Sequence, residues 1–423
     1  MGMVDGREPE ESDADRYRDL PARVAVKFAA GTGMDELDPG DEATVAARRL
    51  GGEWARVLDR FEGVRLRPYL EDMVVPAWQE RSLRGEPGTP LPGDELRPYF
   101  VVELPPGEQA EALAAELREL PGVETAYVET GPMPPPVNPA DDPRSTSQGY
   151  LDAAPNGIDA RWAWSLVDGL GIGFVDLERG WTLNHEDLSG AGITLISGIN
   201  QDYQGHGTAV LGELVAVDNT RGGIGIAPRA RARVVSQWRT STSYSTAAAI
   251  ASAVAVMSRG DVLLLEAQTT VGTQVKIPVE TEQAAYDAIV AAVAAGIVIV
   301  EAAGNGGLDL DTVTDPAGKR VFDPSSKDYR HSGAILVGAA SSTAPHSRLS
   351  FSNYGSRVDC FGWGESIDTT GDGWTGNTTT AYTSGFGGTS GASPIVAGAA
   401  VLLQAWARRT PALGTRRRPY GAG

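Results

Sequence analysis

Short apolar runs recur through the last two-thirds of the chain: GIGFVDL at 171–177, ARVVSQW at 232–238, DVLLLEA at 261–267, GIVIVEAAG at 296–304 and AILVGAA at 334–340. Ala-rich segments of helical character lie between several of them, notably 246–258 and 282–295. Continuous apolar runs that alternate with helices predict a mostly parallel sheet covered on both faces, a three-layer α/β architecture. In such sheets sites gather beyond the carboxyl ends of the strands. That placement points to Asp176, to the neighbourhood of Glu266 and to Asn305.

The first third reads differently. Residues 22–29 and 98–104 have strand character, 42–61 and 108–120 carry apolar residues every three or four positions, and 121–129 reads as a turn plus a strand. Together they predict a small α+β module over 21–130. Residues 131–149 are Pro- and Ser-rich without periodicity and are expected to be a linker, leaving 150–412 as the main domain. Residues 1–20 are polar and acidic and predict a disordered lead-in, and 413–423 form a basic tail.

Charge sharpens this division. The chain has 423 residues and a net charge of −19, and residues 1–150 hold 30 acidic against 16 basic side chains. This balance argues against a nucleic-acid partner, because phosphate contacts need clustered Lys and Arg. No apolar run reaches the length of a membrane span. The single Cys360 excludes an intrachain disulfide framework and reads as a buried small apolar residue. No secretory signal stands at the N-terminus, so the sequence reads as cytoplasmic unless its start is misplaced or export is non-standard.

Three segments carry chemistry. GIGFVDL ends a strand with Asp176, GHGTAVLGELVA (205–216) sets His206 where a Gly-flanked loop enters a helix, and GGTSGASPIVAGAA (387–400) sets Ser390 before a helix with Pro394 in its first turn. Singly, each has an ordinary reading: a strand-end cap, a turn residue, an N-cap. In this order on a parallel α/β background they point to nucleophilic catalysis, since an alcohol needs a partner base.

These blocks, with Ala303-Gly304-Asn305-Gly306, Phe351-Ser352-Asn353-Tyr354-Gly355 and the segment NHEDL at 184–188, resemble the subtilisin-like serine peptidases from about 148 to 408. The resemblance implies a subtilisin-like fold and a serine endopeptidase working through an acyl-enzyme. Ser390 would be the nucleophile, His206 the general base, Asp176 its partner and Asn305 the oxyanion donor. It also implies a peptide or protein substrate and an N-terminal pro-region that acts as an intramolecular inhibitor of a zymogen. No cofactor is needed for the chemistry. Structural calcium is common in the family, and Asp309, Asp311, Asp315 and Asp372 are the acidic candidates, with solvated loop acids as the ordinary reading. His185 is expected to be structural, and His331 and His346 solvated.

Three features depart from the family. The family usually follows its aspartate with a small residue and Gly, whereas here Asp176 is followed by Leu177-Glu178-Arg179-Gly180, about two residues longer before His185. Glu178 would share a face with Asp176 and could tune the triad, bind a substrate amine or pair with Arg179. Second, Glu266 and Gln268 replace small residues at the specificity pocket, and Glu301 does so in the next strand, so an acidic pocket at Glu266, Gln268, Glu301 and Gly304 is expected beside a rival structural pairing. Third, the chain ends soon after the Ser390 helix, which predicts exposed apolar surface. Two rivals follow: a catalytically silent relative that binds peptides or a partner protein, and a sedolisin-like acid peptidase, against which His206 and Asn305 argue.

Overall fold

The computed structural model describes residues 22–34, 51–61, 65–69, 96, 98–104, 110–129 and 137–409. The chain divides into two units, Arg16–Pro134 and a second that holds everything from Pro135 onward. The predicted lead-in at 1–20 and the basic tail at 413–423 lie outside the described residues, as does 42–50 of the first predicted helix.

The first unit is an antiparallel sheet of β1 (Ala22–Phe28), β2 (Arg65–Pro68), β3 (Tyr99–Leu104) and β4 (Val123–Glu129) in the order β2-β3-β1-β4. Helices α1 (Gly52–Arg60) and α2 (Ala110–Arg118) complete it. Strand alternation sends Val24, Val26 and Phe28 of β1 into a core with Trp54, Phe100, Leu113 and Leu117. The Phe28 and Trp54 rings stack at 5.1 Å, and the Trp54 indole N–H donates to Pro121 O at 3.2 Å.

The second unit is built on seven parallel strands in the order β15-β14-β13-β10-β5-β7-β6. They are β5 (Gly173–Glu178), β6 (Thr194–Ser197), β7 (Arg231–Ser236), β10 (Val262–Leu265), β13 (Val298–Ala302), β14 (Ile335–Ala340) and β15 (Cys360–Trp363). Three small antiparallel pairs join them: β8 (Trp238–Thr240) with β9 (Ser243–Tyr244), β11 (Gln268–Val271) with β12 (Gln274–Pro278), and β16 (Ile367–Thr370) with β17 (Tyr382–Phe386). One core holds Phe174, Val234, Leu264 and Val300 beneath α3 (Gln204–Val215) and α6 (Thr389–Arg409). A separate core holds Val175, Val235, Leu263 and Ile299 against α4 (Thr246–Val254) and α5 (Gln283–Ala294). Neighbouring strand residues thus feed opposite layers, which is why the central strands read as unbroken apolar runs.

The predicted linker is only partly one. From Asn138 the chain packs into the second unit. Arg144 donates twice to Asp368, at 2.8 and 2.7 Å, and Gln148 is buried. The Gln148 amide donates to Ile224 O at 3.0 Å and accepts from Ile224 N at 2.8 Å. Polar side chains fasten this segment, so no apolar period announced it. By length and hydropathy α6 matches a membrane-spanning helix, yet 56% of that stretch is buried in the fold. Leu403 and Trp406 on α6 are exposed.

Candidate active site

Three strand ends and two helix starts converge on a cleft of about 570 Å³ lined by Glu178, His206, Glu266, Gln268, Gly304 and Ser390 among others. The strand ends are those of β5, β10 and β13, the edge predicted for chemistry. His206 lies in the first turn of α3, with its backbone N–H donating to Trp374 O at 2.8 Å. The ring meets Phe386 edge-on at 5.4 Å. The following glycine is a packing requirement: a Cβ on Gly207 would sit 2.3 Å from Gly180 O.

The carboxylate that meets His206 is Glu178, not Asp176. His206 Nδ1 donates to Glu178 Oε1 at 2.5 Å, and Glu178 is 2% exposed. Burial would lower the His206 pKa, but the Glu178 carboxylate, through its charge and hydrogen bond, raises it above the ordinary histidine value. Asp176 is fully buried two residues earlier on β5. Its Oδ2 accepts from the Trp181 indole N–H at 2.7 Å, and its Oδ1 has no hydrogen-bond partner. Burial, then the Glu178 charge, drive the Asp176 pKa well up, which favours its neutral form. The expected Asp176–His206 contact is therefore replaced by Glu178–His206. The physical reason is reach: the longer strand extends to 178 and sets that side chain at the sheet edge, while Asp176 stays one pleat inside.

Ser390 is the second residue of α6, after Gly388 at φ 82°. A first-turn amide has no acceptor within its own helix, so the Ser390 N–H is free to serve a ligand. Asn305 follows Gly304, whose φ of 88° and missing side chain are both needed, since a Cβ there would lie 2.2 Å from Lys276 O. Thr389 holds the Asn305 carbonyl oxygen with its N–H at 2.9 Å and its hydroxyl at 3.2 Å, which leaves the amide NH₂ as the donor. The FSNYG block fastens the same loop: Asn353 Nδ2 donates to Ala303 O at 2.7 Å and to Lys276 O at 2.8 Å.

Glu266 follows β10 and is 7% exposed. The Ser393 hydroxyl donates to its Oε1, while Oε2 is buried without a hydrogen-bond partner. Ser390 comes close enough to help hold the Glu266 charge, yet burial and the Glu178 charge raise the Glu266 pKa to about 8. Glu266, Gln268 and Gly304 line the cleft as expected, but Glu301 does not. Strand alternation turns it away: its Oε1 accepts from Glu280 N at 3.1 Å, beside the buried Arg357–Glu280 pair at 2.7 Å. The rival structural pairing therefore holds for Glu301.

The remaining candidates are consumed by the fold. His185 is buried between Ala381 O at 2.8 Å and Asp187 N at 3.2 Å. His346 is not simply solvated, since its two ring nitrogens meet Ser341 O and Pro155 O at 2.9 and 2.7 Å. His331 is nearly half exposed and stands 3.9 Å from Asp359. Cys360 is half-buried on β15, and burial pushes its thiol up to about 11. Asp309, Asp311, Asp315 and Asp372 each accept backbone N–H bonds in their own loop or a neighbouring one. Among the described residues the carboxylates that do converge are Asp141, Asp142 and Asp218, an oxygen-only group suited to calcium, and Glu178 and Glu266 with His206.

A subtilase family model matches residues 184–413. Subtilisin DY of Bacillus licheniformis is 34% identical over 239 residues, covering 55% of this chain and 75% of its own length. An extracellular serine proteinase of Thermus sp. strain Rt41A is 29% identical over 394 residues, covering 92% of this chain and 77% of its own. A solved cold-adapted subtilisin-like serine proteinase superposes with a TM-score of 0.42 at 25% identity, over 56% of this chain and 77% of its own. The chain belongs to the subtilase family.

Proposed function

We propose that this subtilase is a serine endopeptidase in which Glu178, rather than Asp176, completes the catalytic group. Ser390 Oγ attacks the peptide carbonyl. His206 takes the hydroxyl proton and returns it to the leaving amine, and Glu178 holds the imidazole with Nδ1 protonated and balances its positive charge. The Asn305 amide and the Ser390 N–H receive the oxyanion. The observation that carries this reading is the His206–Glu178 hydrogen bond within the cleft that also holds Ser390. A fluorophosphonate probe tests it: labelling of wild type and not of Ser390→Ala supports an activated serine. A folded wild-type protein that resists the probe would favour a catalytically silent peptide- or protein-binding relative.

The first unit serves in this reading as a pro-region that inhibits the enzyme until removed. The match to the Thermus relative extends over 92% of this chain, so the first unit has a counterpart in that serine proteinase. Because Arg144 and Gln148 fasten the following segment, the cut is expected before Asp142. Wild type should shorten on incubation, Ser390→Ala should stay intact, and N-terminal sequencing locates the cut. The same cut in Ser390→Ala would reject self-processing.

A further inference from the structure

Glu178, His206 and Glu266 each offer a ligand atom, and the three atoms lie within 4.8 Å of one another. Peptidase chemistry accounts for one carboxylate on the imidazole; the second is surplus. Glu266 nonetheless faces the cleft nearly buried, with Oε2 unpartnered and Oε1 met by only a neutral hydroxyl, that of Ser393. Arg179, which lines the same cleft, makes no ion pair with it. Arg179 is committed to Asp202 at 2.5 Å and stacks over Tyr203 at 4.5 Å. A nearly buried carboxyl oxygen without a partner is an unsatisfied polar group, and a bound cation would satisfy it.

The donor set selects among cations. One imidazole nitrogen with two carboxylate oxygens suits zinc, whereas calcium and magnesium favour oxygen-only sets such as Asp141, Asp142 and Asp218. Zinc–ligand bonds of about 2.0–2.2 Å set donor atoms roughly 3.5 Å apart, so for one ion to take all three the His206–Glu178 pair at 2.5 Å opens and pairs as wide as 4.8 Å close, each by about 1 Å. Among the described residues His206 is the histidine whose ring nitrogen converges with two carboxylate oxygens, whereas His185 and His346 spend both ring nitrogens on the fold.

We propose that Glu178, His206 and Glu266 form a zinc site in the cleft, and that a bound ion takes the imidazole from Ser390 and holds the peptidase reversibly inactive. The inhibition rests on the peptidase reading; the binding does not. Metal-stripped full-length Ser390→Ala, which cannot digest itself, is titrated with zinc chloride in excess calcium by calorimetry. One ion per chain is expected, with affinity at least tenfold weaker in Ser390→Ala carrying Glu266→Gln or His206→Ala. Should either variant unfold, the imidazole NMR spectrum of Ser390→Ala alone decides: zinc should move the His206 signals and leave the other three histidines. No binding, binding undiminished in folded variants of both kinds, or a shift at another histidine would overturn the site. On wild type, zinc should abolish peptide hydrolysis and EDTA restore it. If wild type hydrolyses nothing without zinc, the peptidase reading fails while the calorimetric result stands. If zinc binds but hydrolysis continues, the inhibitory role fails.

Discussion

Replacing Glu178 by Gln removes one charge and changes little else in size. In the structure Glu178 accepts the Nδ1 proton of His206 at 2.5 Å from a position 2% exposed, where bulk water does not take its place. The Gln amide can present its NH₂ to Nδ1 and stabilise the tautomer protonated at Nε2, which cannot accept the Ser390 proton. Loss of the acid in Ser-His-Asp proteases in this way costs about 10⁴ in kcat, or about 5.4 kcal/mol of transition-state stabilisation. Glu178→Gln should therefore lower kcat on a chromogenic peptide by about 10⁴ with KM little changed. The pH profile supplies a second reading. Glu178 holds the His206 pKa above the ordinary value, so the acid limb of wild type should lie above about 6.5. With the carboxylate gone, burial dominates and the limb should move to lower pH. Asp176→Asn should cost less than about tenfold, because that carboxyl meets Trp181 and not His206. A folded Asp176→Asn with the larger loss in kcat, or a limb unmoved in Glu178→Gln, would refute the assignment.

Asn305→Ala should lower kcat by about 10²–10³, a figure known from this family's own oxyanion asparagine, and stopped-flow acylation rates would show it. Arg357→Ala leaves Glu280 buried without its 2.7 Å partner and should destabilise the second unit by about 3–5 kcal/mol, read from the urea midpoint of Ser390→Ala protein. Burial raises Asp187 to about 7, so its folded form binds a proton that the unfolded chain releases near pH 4. The melting temperature of Ser390→Ala relative to Ser390→Ala/Asp187→Asn should therefore fall as pH rises from about 4 to about 7 and stay level above. Calorimetric scans showing a constant difference would contradict this.

Much of the second unit was legible because its strands are buried on both faces and so read as unbroken apolar runs. Gly207 and Gly304 were legible as motif residues because close packing leaves no room there for a Cβ. The acid beside His206 was misplaced although the signal was present. Counting back from His185, Glu178-Arg179-Gly180 restores the family's acid, residue, glycine spacing and removes the apparent two-residue excess. A glutamate stands where the family carries aspartate, and a true aspartate two residues earlier ends the apolar run. Glu301 was misread for another reason: alternation along β13 decides which side chains reach the cleft, and the strand's start fixes that parity. Gln148 and Arg144 could not be read at all, since their partners Ile224 and Asp368 are far off in sequence.

Thr389 joins two loops of the cleft. Its N–H and hydroxyl both grip the Asn305 carbonyl, and its hydroxyl also accepts from Gly304 N at 3.2 Å, while its peptide neighbour is Ser390. Ser390 and Asn305, the proposed nucleophile and oxyanion donor, thus hang from one fastening. When the start of α6 shifts thermally, the Asn305 amide shifts with it, so their separation fluctuates less than either position alone. Precision at the reacting carbonyl then depends on correlated movement more than on rigidity. Loss of Thr389 should raise the scatter of that separation before it changes the mean.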